Sequence, residues 1–354
     1  MAELKEVFEM VTKQTEPEQD SWKRQEERHR RTSRNRRVGA IAVVAAMLAV
    51  AALVFVVSRP KEENGVANQP SGGASSQVNG IPPLGGQIIG LDGSPIQQIP
   101  LLGGSGFALS PDGTTIACVS RYGGVKLVGV SGGNEATLVN GYTKTNVGDA
   151  MNHVSWSPDG TQIAYAWNGE IYVMAADGSH KQQLTHTAMG KGSYDPVFSP
   201  DGSTIAYWSG SSTGEDGGPK DAQIFTIPAT GGTPTRLTND AQHNIEPAWS
   251  PDGTQIVFKH GWGLGVVNAD GSGLHDISNI RMGPWAPAWS PDGTKIAFLV
   301  FDGSERASDG GPLLGLRYVT LATGKVTKLP VRVETDGNGP QWTTNTTLLV
   351  NRYD

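Results

Sequence analysis

Trp249-Ser250-Pro251-Asp252-Gly253-Thr254-Gln255-Ile256-Val257-Phe258 is one copy of a unit that returns along the chain. Ser-Pro-Asp-Gly starts at Ser110, Ser157, Ser199, Ser250 and Ser290. Each copy runs on into Thr or Ser, one variable residue, then Ile and a small or branched apolar residue. The steps between copies are 47, 42, 51 and 40 residues, and a worn sixth copy over residues 341–350 places Thr343 53 residues after Ser290. Repeats at this period mean one supersecondary module per unit, each unable to bury its apolar face alone.

Within the unit, proline presets φ for the first turn position, and Asp-Gly supplies the conformations that close a hairpin. A short strand precedes the turn, as in Glu246-Pro247-Ala248-Trp249, and an apolar strand follows it, as in Gln255-Ile256-Val257-Phe258. A second turn comes about twenty residues on: Ala176-Asp177-Gly178-Ser179, Thr230-Gly231-Gly232, Ala269-Asp270-Gly271-Ser272 or Thr323-Gly324. A fourth strand then ends in a Leu-Thr type pair such as Leu184-Thr185 or Leu237-Thr238. Four antiparallel strands repeated radially make a β-propeller. The expected fold is all-β and six-bladed, preceded by one transmembrane helix.

Ring closure is also readable. The sixth copy supplies only a first and second strand, and the missing pair stands ahead of the first full unit. It consists of Gln87-Ile88-Ile89-Gly90, the turn Leu91-Asp92-Gly93-Ser94, and Ile96-Gln97-Gln98-Ile99. The expectation is a composite closing blade in which Ile88, Ile89, Ile96 and Ile99 are buried, leaving no free sheet edge.

The Trp-Ser-Pro-Asp-Gly-Thr-x-Ile units resemble the PD40 (WD40-like) repeats of TolB-type six-bladed propellers, over about residues 85–354. The resemblance implies a soluble extracytoplasmic propeller of a bacterial envelope that binds other proteins. In the TolB family an α/β domain stands ahead of the propeller, and none is read here. That family's lipoprotein and translocation partners are therefore not carried over.

Ahead of the propeller the chain changes character. Residues 1–37 form a basic tail expected in the cytoplasm, with Leu4, Val7, Phe8 and Val11 at helical spacing. That stretch, residues 3–13, is a candidate docking helix for a cytoplasmic partner. Residues 38–57 are twenty residues without a charge, long enough to span a bilayer as a helix. The run exceeds a signal-peptide core, and no small-x-small cleavage site follows it. Lys23, Arg24, Arg28, Arg30, Arg31, Arg34, Arg36 and Arg37 precede the span closely, against Arg59 and Lys61 after it. By the positive-inside rule the N-terminus is cytoplasmic and the propeller lies outside a single-pass cell-membrane anchor. Residues 58–84, rich in Gly, Ser, Asn, Gln and Pro, read as a flexible linker.

Charge divides along the same line. Of 28 basic and 34 acidic side chains, residues 1–37 hold 10 and 8; the remaining 18 and 26 give residues 38–354 a net charge of −8. An acidic outer part argues against nucleic acid as its ligand. The 47 glycines and 22 prolines suit a protein of many tight turns. Cys118, the one cysteine, replaces the aromatic that other units carry there (Tyr165, Tyr207, Phe258, Phe298) and is expected to be buried and inert.

No catalytic motif survives inspection. Gly129-Val130-Ser131-Gly132-Gly133 fits a nucleophile elbow, but it occupies the slot of the Ala-Asp-Gly-Ser turns, where no strand-to-helix turn is available. In a propeller the second-to-third loops and the connections between blades share one face. Residues 209–222, 301–315 and 139–152 read as long loops there, and binding favours such loops. Four residues ahead of the repeat serine, at the channel mouth on that face, stand His153, Asp195 and Glu246; His186, Tyr194, His243, Trp262 and Trp285 lie on the same loops. Such a set is able to grip a polar ligand or a divalent metal, and the aromatics to anchor a protein or stack on a sugar. The function expected is a membrane-anchored, non-catalytic module that displays this face to an envelope protein or glycan. The rival readings are a metal-dependent, lyase-like propeller enzyme and a transmembrane sensor that signals through the N-terminal helix.

Overall fold

The computed structural model describes residues 85–99, 104–120, 124–132, 135–140, 153–211, 221–277, 280, 283–306, 312–334 and 339–352. The tail, the apolar span at 38–57 and the linker to residue 84 lie outside the described residues. Among the described residues no helix is long and apolar enough to cross a membrane.

Among the described residues every element is a strand. β1 (Gly85–Gly90) and β2 (Pro95–Ile99) come first. Blade 1 is β3 (Gly104–Leu109), β4 (Thr115–Ser120), β5 (Val125–Gly129) and β6 (Ala136–Val139). Blade 2 is β7 (Val154–Trp156), β8 (Gln162–Trp167), β9 (Glu170–Ala175) and β10 (Gln182–Gln183). Blade 3 is β11 (Lys191–Phe198), β12 (Thr204–Ser211), β13 (Gln223–Pro228) and β14 (Thr235–Arg236). Blade 4 is β15 (Asn244–Trp249), β16 (Gln255–His260), β17 (Gly263–Asn268) and β18 (His275–Asp276). Blade 5 is β19 (Pro284–Trp289), β20 (Lys295–Arg306), β21 (Pro312–Thr320) and β22 (Lys325–Glu334). β23 (Gln341–Thr344) and β24 (Thr347–Arg352) open blade 6.

Blade 6 closes the ring as the repeat count requires. β24 pairs with β23 on one side and with β1 on the other, in unbroken register from Gly85↔Arg352 to Gly90↔Thr347, and β1 pairs with β2. Blades 5 and 6 are joined besides, because the far end of β22 reaches β24 at Val333↔Arg352. Each blade is an antiparallel meander, so turns one-to-two and three-to-four lie at one end. Turns two-to-three and the connections between blades lie at the other.

The repeat turn is held by one carboxylate. Asp252 Oδ1 accepts from Ser250 Oγ at 2.7 Å, Thr254 N at 3.1 Å and Thr254 Oγ1 at 2.8 Å, while Ser250 Oγ accepts from Gln255 N at 2.9 Å. Gly253, with φ 72°, takes the left-handed position that a side chain would resist. The same bonds recur around Asp112, Asp159, Asp201 and Asp292. In those four the repeat-serine hydroxyl is the main cause that holds the carboxyl below its ordinary range, Asp292 at about 2. At Asp252 burial pulls upward and the hydrogen bonds outweigh it.

A carboxyl whose folded pKa lies below its unfolded value of about 3.9 contributes stability at higher pH and loses it as pH falls through the folded value. Thermal unfolding is therefore expected to be steady above about pH 5 and to move to lower temperature below about pH 4. Asn at all five aspartates should lower the neutral-pH midpoint and flatten that acid limb. An acid limb of unchanged slope in the five-fold variant would show that the turns do not carry it.

Packing between blades is as regular as the turns. Six clusters of buried apolar side chains occupy the six blade interfaces, for example Ala206, Ile224 and Leu237 against Ile256, Phe258 and Val267 between blades 3 and 4. Around the channel the repeat tryptophan reaches back one blade. Trp156 Nε1 donates to Ala108 O, Trp249 Nε1 to Val197 O and Trp342 Nε1 to Ala288 O, at 3.0, 3.2 and 3.0 Å. Cys118 is buried between blades 1 and 6, which pushes its thiol up to about 11.

Three expectations are corrected. Residues 301–306 and 312–315 are strand rather than loop: β20 and β21 pair at Phe301↔Leu314 and, after an irregularity, again at Arg306↔Pro312. The outermost strands of blades 2, 3 and 4 are only two residues long and stop before the Leu-Thr pairs. Ile96 is 59% exposed, because β2 is the outer strand of its blade and that side chain points to solvent. Of the other long loops, residues 209–211 continue β12, whereas 212–220 and 141–152 lie outside the described residues.

Candidate functional site

The innermost strand of each blade carries the repeat serine at one end of the channel, and four residues earlier it reaches the other. That position reads Gly106, His153, Asp195, Glu246, Ala286 and Gly339 around the ring. In blades 3, 4 and 5 the strand bulges there, with the register slipping between Tyr194 and Val197, Ile245 and Ala248, and Trp285 and Ala288. Asp195, Glu246 and Ala286 consequently have φ of 54°, 58° and 49°. A left-handed backbone costs a non-glycine residue on the order of 1–2 kcal/mol, and such strain persists where the surroundings impose it, often at functional sites. Proline follows the bulge residue in each case, and after Gly339 as well.

His153, Asp195, Glu246, Ala286 and Gly339 line a cavity of about 420 Å³ that continues inward along the tryptophans of the inner strands. Two groupings of charge meet at its mouth. In the first, His153 Nδ1 bonds Asp195 Oδ1, and Trp208 Nε1 donates to Asp195 Oδ2 at 2.6 Å. Tyr194 lies against Trp208 with ring centroids 4.5 Å apart. Only glycine fits at 192, where a Cβ would come 2.2 Å from the Tyr194 hydroxyl oxygen.

The second grouping is less satisfied. Glu246 Oε2 accepts from Ala286 N at 2.6 Å, and the carboxyl is pushed up first by burial and next by the neighbouring Asp195. Lys259 is buried on β16 with its Nζ 3.3 Å from the centroid of the Trp285 ring. Burial holds this amine below its ordinary range against the pull of Glu246. Trp285 is 43% exposed. Trp262, 78% exposed, forms the tip of the β16–β17 turn. His243 is held low by burial and then by Lys259, and its carbonyl accepts from Gly261 N at 3.1 Å.

Of the eight residues named from sequence, Tyr194, Asp195 and His153 are linked, the last two directly and Tyr194 through Trp208. Glu246, Trp285 and His243 gather about Lys259, and Trp262 tops the same blade. His186 joins neither grouping; its Nδ1 lies 3.2 Å from Gln183 Nε2. Sequence reasoning missed Trp208 and Lys259. Both stand nine residues past the repeat serine, where blades 1, 2 and 5 carry Val119, Ala166 and Leu299. A polar or oversized residue in an apolar slot was the available signal. Among the described residues no group of three or more His, Cys, Asp or Glu is arranged to hold a metal ion.

The family model described as the TolB beta propeller domain, PD40, matches residues 107–263. An uncharacterized protein of Agrobacterium fabrum is 35% identical over 108 residues, 29% of this chain and 33% of that protein. Dipeptidyl-peptidase 5 of Porphyromonas gingivalis is 31% identical over 117 residues, 29% of this chain and 17% of that protein. The chain thus spans a third or less of the length of these curated relatives. Among solved structures, a TolB of Agrobacterium tumefaciens superposes with a TM-score of 0.57 at 23% identity, covering 76% of this chain and 98% of that one. A chain of the nidogen/laminin complex gives 0.51 at 10% identity, covering 69% and 92%. Both likenesses concern the fold alone.

Proposed function

We propose, for a chain whose residues 107–263 are a PD40 domain within a TolB-like six-bladed propeller, that it is a binding module whose channel mouth takes up a segment of a partner protein in a bacterial cell envelope. The observation that supports this is the mouth itself. Strained inner-strand bulges bring Asp195 and Glu246 to a cavity, and exposed Trp262 and Trp285 stand on blades 4 and 5. Anchoring aromatics around a desolvated polar centre suit protein recognition. The reading favours binding over catalysis because the two residues that invite a nucleophile do not suit one. Ser131 sits in the turn after β5, where Gly132 N donates to Gly129 O at 2.9 Å, and the Cys118 thiol is buried. Residues 38–57 anchor the module in the membrane with the propeller outside, a placement that rests on the charge asymmetry around that span.

One experiment tests contact and placement together. Cys118 is buried and silent, so a cysteine at Met189, fully exposed between blades 2 and 3 at the mouth end, is a unique handle. Cysteine at Asp270, in the three-to-four turn of blade 4, reports the opposite end. In intact cells both should react with a membrane-impermeant maleimide. Only Met189→Cys carrying a photoreactive maleimide should yield a crosslinked partner. Unlabelled cysteines would overturn the outside placement; adducts from Asp270→Cys alone, or from neither site, would overturn the mouth.

A further inference from the structure

We infer that the seat beside Glu246 receives the ammonium group of a lysine side chain on the docked segment. The inference rests on the docking reading above and specifies what enters.

Glu246 is a carboxylate with too little to hold it. An ionised carboxylate offers two oxygens and about four acceptor sites, yet its one hydrogen bond is from Ala286 N to Oε2, and no ion pair within 4.0 Å reaches it among the described residues. Glu246 is half-buried, and screening an unpaired charge from water even in part is costly, so such a group takes up a proton or waits for a cation. The neighbouring groups do not fill the role. Lys259 spends its ammonium on the Trp285 ring, and His153 is committed to Asp195.

An independent sign comes from deeper in the same cavity. Three repeat tryptophans donate to a carbonyl one blade back, but Trp289, in blade 5, does not. Its Nε1 is buried and has no partner, on the wall that Glu246 also lines. Among the described residues the interface of blades 4 and 5 therefore holds an underused acceptor and an unused donor beside one cavity. A lysine carried on an extended segment supplies the complement of the acceptor. At about 420 Å³ the space admits a side chain and a short stretch of backbone, not a folded element.

The geometry separates lysine from its alternatives. Arginine recognises a carboxylate best through two parallel bonds, and Ala286 N already uses one acceptor site of Oε2, which leaves Oε1 the less encumbered oxygen. A compact ammonium with three rotatable donors needs only Oε1. A divalent metal wants more oxygens than one carboxylate provides, and among the described residues no three His, Cys, Asp or Glu are grouped to hold one. The net charge of −8 on residues 38–354 draws basic segments toward the propeller as a whole.

The test is titration of the full chain with three capped tripeptides, Gly-Lys-Gly, Gly-Arg-Gly and Gly-norleucine-Gly, followed by tryptophan fluorescence, since Trp249 and Trp289 line the same cavity as Glu246. The lysine peptide should bind on the order of tenfold or more tightly than the other two, as expected for a buried hydrogen bond to a charged group. Glu246→Gln, which keeps an acceptor for Ala286 N, should remove that preference. Equal binding of norleucine or arginine, no binding of lysine in the millimolar range, or a preference untouched by Glu246→Gln overturns the inference. The peptide series on the unaltered protein decides the matter even if the variant misfolds. Should the mouth cysteine capture a partner while the lysine peptide fails, the docking reading stands and only the lysine is wrong.

Discussion

Deleting residues 87–100 is expected to leave a protein that aggregates or melts far below the intact chain, whereas deletions that stop short of residue 85 leave the propeller's stability unchanged. β1 is an interior strand of its blade, bonded to β24 on one side and β2 on the other. Ile89 is fully buried with Leu348 and Val350 against blade 5, and Ile88 packs with Leu349 against Phe107, Ile116 and Cys118 of blade 1. Without β1 the two isoleucines are lost and the β24 side chains are uncovered. At roughly 1.5–3 kcal/mol for each fully buried side chain of this size, five of them are of the same order as the roughly 5–15 kcal/mol by which a domain is usually stable. β24 would also become an open edge. Thermal unfolding and sedimentation of the two versions check this; equal midpoints and equal monomer content would show that the ring does not depend on its N-terminal hairpin.

Phe258→Ala should be the most damaging single substitution among the inner positions of blade 4. The ring is fully buried at the interface with blade 3, flanked by Ala206, Ile224 and Leu237. Gly265 leaves it room: a Cβ there would lie 3.0 Å from the ring. Removing a core phenylalanine costs about 3–5 kcal/mol, because the cavity relaxes only in part. For a domain of this size each kcal/mol moves the midpoint by about 2–4 °C, so a fall on the order of 10 °C is expected. Trp262→Ala, four residues along and on the solvent side, should move it by no more than a degree or two. Differential scanning fluorimetry of the pair is sufficient, and similar shifts for both would place Phe258 outside the core.

How much of this was legible in the sequence depends on what kind of signal each part leaves. The turns were legible because one local network, serine to aspartate to threonine, forces one spelling wherever it occurs. The composite blade was legible because Ile88, Ile89 and Leu91-Asp92-Gly93-Ser94 repeat the spelling of a strand three and its turn. The blade 5 hairpin was misread because residues 301–315 lie beyond the repeat's usual strand length, whereas β20 and β21 extend past it and pair again at Arg306↔Pro312 after an irregular stretch. At the mouth, the position four before the repeat serine announced His153, Asp195 and Glu246, but not their partners. Trp208 and Lys259 come from second strands, where the bulge at Asp195 or Glu246 decides which side chain meets the channel. A bulge is a property of the pairing, and in blades 3, 4 and 5 its local trace is the proline that follows at 196, 247 and 287.

The seam between β1 and β24 also sets a timetable. Gly86 and Asn351 are partners 265 residues apart, so joining them costs about 5 kcal/mol of chain entropy on the logarithmic loop law before any contact of theirs repays it. As the polypeptide is made, the β1–β2 hairpin emerges among the earliest parts of the propeller and its partner strand among the latest. In between, Ile88 and Ile89 sit on an unpaired edge while the intervening blades assemble. Proteins dominated by such distant pairings fold slowly, and exposed edges are where chains join the wrong neighbour. For this molecule the hazardous interval is the span of its own synthesis, and it ends when the last strand arrives to cover the first.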